Sequence, residues 1–245
     1  MSVLVNYAGR LGNNIFQYCM GSYLAHKFDL KLKTNLVGLN DDFEIRYDEG
    51  GRCLEEMIEV NDDNILEILS MDIIDKGIHL NGFFQNKAIF QNEDIISFYK
   101  DSLVPKKIDN TSDLFIHVRL GDIKDDFNLP YRYYEDQISK IDYNDCFLTS
   151  DSIDHPIVKK LQKRFKNIQL FTGWSPSFTI RYGANCNKLV LSAGTFSFCM
   201  ALFNKGEPTI YCIDNDAMKK RFNVRQWDGG MFSALAGKPG FNFYT

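Results

Sequence analysis

"VLVNYAGRLGNNIFQYCM", residues 3–20, decides how the first part of this 245-residue chain is built. Val3, Leu4 and Val5 form a short apolar run of the kind that makes an interior strand. Ile15, Phe16, Cys19, Met20, Tyr23, Leu24 and Phe28 then recur at three-and-four spacing, as on the buried side of a helix. The stretch between them is polar and punctuated by glycine. In a strand, turn and helix unit that stretch lies at the carboxyl end of the strand and the amino end of the helix. Backbone N–H groups and the positive end of the helix dipole favour an anion there. Asn13 or Asn14 is a natural N-cap and Gly12 a natural turn residue. That structural account leaves Arg10 without a task.

Working outward, the alternation over 30–34 predicts a second strand and a β–α–β start. Residues 61–69 carry a short apolar helical side, and 78–90 read as a strand running into a turn. Around 105–111 the pattern becomes polar and proline-punctuated, which places a boundary between an amino-terminal lobe, 1–108, and a carboxyl-terminal lobe, 109–245. The second lobe alternates more cleanly. Strands are expected at 114–118, 146–148, 168–171, 188–191 and 209–212, with helices at 133–141, 157–165 and 196–203. Such alternation implies an α/β fold with mostly parallel sheets covered on both faces.

With 44% hydrophobic and 24% charged residues, the chain has the composition of a globular protein and not of a disordered one. A formal charge of −4 gives no global argument for nucleic acid or an anionic membrane as partner. No apolar stretch is long enough to span a bilayer and the first residues lack a signal-peptide pattern, so the expectation is a cytoplasmic protein. Cys19, Cys53, Cys146, Cys186, Cys199 and Cys212 form no C-x-x-C pair and stand mostly in apolar runs, as buried free thiols do.

In an open parallel sheet, ligands lie beyond the carboxyl ends of the strands, and four polar clusters come after apolar runs here. One is the Arg10, Gly12, Asn13 turn. The second is "IHVRLGD", residues 116–122, where His117 and Arg119 share one face and Ile116 and Val118 the other. An arginine at the end of a buried strand needs an anion. A pyrophosphate would serve, and so would a structural carboxylate such as Asp122. The third is "TSDS", 149–152, where one residue can cap the next helix or Asp151 can accept from the N1 and N2 edge of a guanine. The fourth is "SAGTFSF", 192–198, whose small side chains let backbone amides approach phosphate oxygens.

The chain lacks the phosphate-loop, dinucleotide and G-x-S-x-G fingerprints. His26, His79 and His155 show no metal-ligand spacing and read as surface or packing residues. Asp214, Asn215 and Asp216 have a D-x-D spacing that an exposed turn explains.

"GRLGNNIFQY" resembles the G-R-L-G-N-Q-x-F-Q-Y opening of the family 11 glycosyltransferases, the alpha-1,2-fucosyltransferases. "IHVRLGD" resembles their H-V-R-R-G-D segment, "LNGFFQNKAIF" their L-x-G-Y-x-Q-x-x-x-Y-F segment, and "LVLSAGTFSFCMALF" their I-x-S-N-S-S-F-S-W-W-A-A-W-L segment, all in the family's order. Leu120 stands where the family pattern has a second arginine, and Phe198 and Cys199 stand where it has paired tryptophans. The resemblance implies a GT-B type α/β fold of two Rossmann-like lobes with a nucleotide-sugar cleft, an acceptor-side first lobe and a donor-binding second lobe. It also implies a GDP-fucose donor, a glycan acceptor, inversion at the anomeric carbon, and neither a cofactor nor a metal. Carried over by residue, Arg119 would neutralise the diphosphate and His117 would contact the guanosine portion. Thr195, Ser197 and Phe198 would offer hydroxyl and backbone groups to the phosphates. Arg10, Gly12 and Asn13 would meet the donor, with Asn13 near the bond that breaks. Asp122 matches the family's aspartate and is the candidate base, or it orients Arg119. The phosphate-binding parts do not identify the sugar, so another nucleotide sugar, or binding without turnover, stays open.

Overall fold

The computed structural model describes residues 1–34, 39–45, 56–121, 128–204, 206–213, 215–222 and 231–244. Asp122, Cys53 and Asp214 lie outside the described residues. The chain divides into two compact units, Met1–Lys106 and Lys107–Thr245.

In the first unit, β1 (Ser2–Val5) leads through the polar turn into α1 (Leu11–Lys27) and β2 (Lys31–Lys33). Next come β3 (Phe43–Ile45), β4 (Met57–Val60), α2 (Ile65–Ser70), β5 (Gly77–Leu80), α3 (Lys87–Gln91), α4 (Glu93–Ser102) and β6 (Leu103–Pro105). The main sheet has the order β2-β1-β5-β4 with every pairing parallel, while β3 and β6 form a separate antiparallel pair. The helical spacing read from the sequence is the buried side of α1: Ile15, Phe16, Cys19, Met20 and Leu24 are all fully buried. The N-cap of α1 is Arg10, not Asn13 or Asn14, and its side chain makes no capping bond. The α2 helix starts at Ile65 with its apolar side, later than the 61–69 span read for it. Asn61 Oδ1 accepts from the amides of Asp63 and Asn64, at 3.0 and 3.4 Å, and holds that stretch as an Asx turn. Periodicity did not announce α4, whose start is fixed by Asn92: its side chain accepts from the amides of Asp94 and Ile95.

The second unit runs β7 (Leu114–Val118), α5 (Tyr131–Ile138), β8 (Cys146–Ser150), α6 (Pro156–Arg164), β9 (Ile168–Leu170), α7 (Pro176–Ala184), β10 (Lys188–Leu191), α8 (Thr195–Leu202), β11 (Thr209–Cys212), α9 (Asn215–Phe222), a short 3-10 turn and β12 (Phe241–Phe243). Its sheet has the order β12-β11-β10-β7-β8-β9, again parallel throughout. The chain therefore winds outward from β7 to β9, returns to place β10 on the other side of β7, and winds outward again to β12. This is the doubly wound order, and its reversal point lies between β7 and β10. Ile116 and Val118 pack with Tyr133, Ile138, Val158 and Leu161 on one face of the sheet. Phe115 meets Phe171 and Tyr182 on the other. Truncating a fully buried aromatic such as Phe115 costs about 3–5 kcal/mol.

Of the D-x-D residues, Asn215 and Asp216 belong to α9, while Asp214 lies outside the described residues. Of the histidines, His155 caps α6 by accepting from the Ile157 amide, and His26 stacks on Phe98. Cys19, Cys146, Cys186, Cys199 and Cys212 are buried free thiols, as expected. No helix among the described residues is long and apolar enough to cross a membrane.

Candidate functional site

The reversal point of the second sheet gathers the polar residues of three strand ends. The carboxyl ends of β7 and β10 are tied by the amide of Ser192, just after β10, which donates to the His117 carbonyl at 3.1 Å. His117 is 6% exposed, and its Nδ1 lies 2.6 Å from Ser197 Oγ in the first turn of α8. The Phe196 ring tilts against the imidazole, with centroids 5.1 Å apart. A buried imidazole and a buried hydroxyl thus satisfy each other, which fixes the ring plane and leaves Nε2 as the imidazole's second hydrogen-bonding atom.

Arg119, half-buried, lies over the start of α8. The N-cap of that helix is Gly194, with φ +99° and ψ 168°, a conformation L side chains rarely adopt. A β-carbon there would fall on Arg119 Nη1. Glycine therefore serves twice, by allowing the backbone angle and by leaving room for the guanidinium. The guanidinium and the amino end of α8, which begins at Thr195, supply positive potential at one place.

The loop after β7 is clamped from β8. Asp151 Oδ1 accepts from the Leu120 amide at 2.7 Å, and Gly121 packs closely on the Asp151 backbone. One carboxylate oxygen of Asp151 is thus engaged in holding the loop beyond Arg119. Leu120 is 4% exposed and sits in the apolar cluster with Leu129, Tyr133 and Tyr134. Two tyrosines that sequence reasoning missed brace the same place. Tyr133 donates its hydroxyl to the Leu191 carbonyl at 2.7 Å, and Tyr134 donates to Ser192 Oγ at 3.1 Å while receiving a backbone hydrogen bond from Arg119. Burial pushes the Tyr134 phenol well above its ordinary value, so it stays a donor. Their signal in the sequence was only an adjacent pair on an amphipathic helix.

Phe198 does not face this site. It is fully buried, its ring meets Phe232 edge-on at 5.2 Å, and its amide donates to the Gly194 carbonyl. The expectation that it offers a group to phosphates is corrected: its amide is used by the helix and its side chain by the core.

The first unit holds a second polar cluster at the carboxyl ends of β1 and β5. Asn13 stands in the first turn of α1, and Gln85 Nε2 donates to its Oδ1 at 3.1 Å. Gly9, at φ +80°, makes room for Asn13: a β-carbon there would collide with the amide group. Gln17, buried under the turn, accepts from the Ala8 amide and donates to the Gly82 carbonyl at 2.8 Å. Asn14 donates to the Ala8 carbonyl. Asp62 holds the other loop, accepting from the Phe83 and Phe84 amides at 2.8 and 2.6 Å. Arg10 is exposed and Gly12 buried in the same turn. Gln17 and Gln85 belong to the segments quoted above, but only the fold shows that one builds the turn and the other holds Asn13.

Thus the described candidates form two sets: His117, Arg119, Asp151, Thr195 and Ser197 in the second unit, and Arg10, Gly12 and Asn13 in the first. Groups of three or more His, Cys, Asp or Glu placed to hold a metal are not found among the described residues.

The class that this architecture defines is an α/β fold of GT-B type, shared with solved fucosyltransferase structures. No protein-family model and no curated protein matches the chain. Among solved structures it is similar to the NodZ alpha-1,6-fucosyltransferase of Bradyrhizobium: the form soaked with GDP-fucose aligns with a TM-score of 0.57 at 9% identity, covering 82% of this chain and 91% of that one. POFUT1 in complex with GDP aligns with a TM-score of 0.52 at 11% identity, covering 85% and 97%. A mutant of Arabidopsis thaliana FUT1 in complex with GDP aligns with a TM-score of 0.51 at 12% identity, covering 85% and 70%.

Proposed function

We propose that the chain transfers fucose from GDP-fucose to a hydroxyl of a glycan acceptor, with inversion and in alpha-1,2 linkage. The observation that carries this reading is Arg119 lying over Gly194 at the amino end of α8, beside the buried His117–Ser197 pair, at the reversal point of a parallel sheet. The likeness of the fold to structures solved with GDP or GDP-fucose supports it. The family 11 resemblance of the four segments supplies the linkage and the inversion.

In this mechanism the second unit holds the donor. Departure of GDP develops negative charge on the diphosphate and positive charge on the sugar. A fixed guanidinium and oriented helix amides aimed at the leaving group lower that barrier without reorganising at the moment of reaction. Asp151 and Tyr134 act through Arg119, by holding the backbone on either side of its side chain. His117 meets the guanosine portion, and Thr195 lies at the phosphates. In the first unit, Asn13, fixed by Gln85, with Arg10 and Gly12 in the same turn, is given its part in the reaction by the family 11 resemblance. Asp122 takes the acceptor proton. Arg119 takes the charge-neutralising role that a metal serves in other transferases.

The test combines thermal shift and turnover. GDP raises the melting temperature, while ADP and UDP do so much less; equal shifts with all three would remove the guanine assignment. GDP-fucose releases GDP slowly with no acceptor present, and EDTA leaves that release intact. Binding without release would mean a nucleotide-sugar-binding protein without turnover. Loss in EDTA, restored by manganese or magnesium, would overturn the metal-free mechanism.

A further inference from the structure

The second sheet carries an aromatic stack that the proposed mechanism leaves unused. Trp174, in the loop between β9 and α7, is 56% exposed. Its indole stacks on Phe178 with centroids 4.6 Å apart at 26°, and on Phe171 at 5.8 Å and 25°. Phe171 is anchored on Phe115, Phe147 and Tyr182. The guanidinium of Arg181 lies over Phe178, 5.6 Å from its centroid. A rigid platform of three rings therefore ends in a large indole open to solvent, where an ordinary surface loop would place polar residues.

The register of the sheet locates Phe171, the inner ring of this stack, relative to His117. Leu191 pairs with His117 and His117 with Thr149. Leu148 pairs with Leu170, so the next position opposite Thr149 is Phe171, whose amide donates to the Leu148 carbonyl at 2.8 Å. His117, Thr149 and Phe171 thus form one row at the carboxyl edge of the sheet, on the same face. From β7 to β9 is two strand spacings, about 10 Å. A nucleoside diphosphate is long enough to cover that distance from phosphates at Arg119, and Asp151, just after β8, lies between the two strands.

We propose that Trp174 is the stacking platform for the purine base of the donor nucleotide. The inference rests on the nucleotide-sugar reading above and adds to it the place of the base. Stacking is tolerant of base identity, because every base has a π-face, so guanine selectivity falls to hydrogen-bonding groups and affinity in part to Trp174.

The experiment is isothermal titration of wild type, Trp174→Ala and Trp174→Phe with GDP and, separately, with inorganic pyrophosphate, after melting curves show all three folded. Trp174 is exposed, so its truncation leaves the core intact. Trp174→Ala is expected to weaken GDP by about 5- to 150-fold and leave pyrophosphate unchanged, with Trp174→Phe restoring most of the loss. Equal GDP affinity in wild type and Trp174→Ala overturns the platform while leaving the nucleotide reading in place. An equal loss for GDP and pyrophosphate overturns it too, since a base contact cannot affect a ligand without a base. Wild type that fails to bind GDP takes the reading and the inference down together.

Discussion

Gly194→Ala tests the donor site at the point where backbone and side chain are coupled. The residue adopts φ +99° and ψ 168° as the N-cap of α8, and its missing β-carbon leaves the space that Arg119 Nη1 occupies. A non-glycine residue in that region stores about 1–3 kcal/mol. In a chain of this size that lowers the melting temperature by about 2–12 °C, from roughly 2–4 °C per kcal/mol. The added methyl also meets the far end of a flexible side chain, which yields by swinging away, so the steric conflict appears in function more than in stability. A charge-assisted hydrogen bond contributes about 1.5–3 kcal/mol, so displacing the guanidinium should weaken GDP by roughly 10- to 150-fold. Gly237→Ala is the control. Gly237 has φ +82°, and a β-carbon added there would meet nothing within 4 Å, so that variant should lose stability while keeping GDP affinity. Calorimetric titration with GDP and a melting curve on both variants decide the matter. Gly194→Ala that binds GDP as wild type does, whatever its melting temperature, would refute the placement of Arg119 on the diphosphate.

Arg119→Ala should weaken GDP binding and turnover together, whereas Asn13→Ala should leave GDP affinity within a few-fold and cut turnover by about ten- to a thousand-fold; full activity in a folded Asn13→Ala protein would reduce that turn to a helix start. Gln85→Ala removes the donor that fixes Asn13 Oδ1 at 3.1 Å and should lower kcat by up to about 100-fold with little change in melting temperature, checked by initial rates at saturating donor. Burial pushes the Cys186 thiol up to about 12 and raises Cys19 and Cys146 as well, so at pH 8 their reactive thiolate forms are scarce. Iodoacetamide should label them slowly in native protein and fast after denaturation; rapid native labelling of Cys186, read by mass spectrometry, would contradict its burial.

Much of the architecture was legible because it is local. The apolar runs at β1, β7, β10 and α8 and the three-and-four spacing of α1 are properties of neighbouring residues, and burial on both faces of a parallel sheet leaves that pattern plain. Elements set by capping or pairing were less so. The α7 helix, absent from the expected elements, is announced only by Ser175, whose hydroxyl accepts from the Phe178 amide, and by Pro176 at its first position. The β3 and β6 pairing joins segments far apart in sequence through three residues each, too short for periodicity to register.

The residue types of the site were likewise written in the chain, since polar clusters at strand ends mark where a parallel sheet binds ligands. Their roles were not. The contact of His117 with Ser197 spans 80 positions, and that of the Leu120 amide with Asp151 spans 31. Whether Phe198 faces a phosphate or the core turns on a rotation of α8 that its nearly all-apolar sequence leaves unmarked. Sequence alone determined which segments could be strands, helices and binding turns, because those preferences act between near neighbours. The tertiary structure decided which side chains meet, because strand order and helix rotation are set by burying all the apolar faces at once.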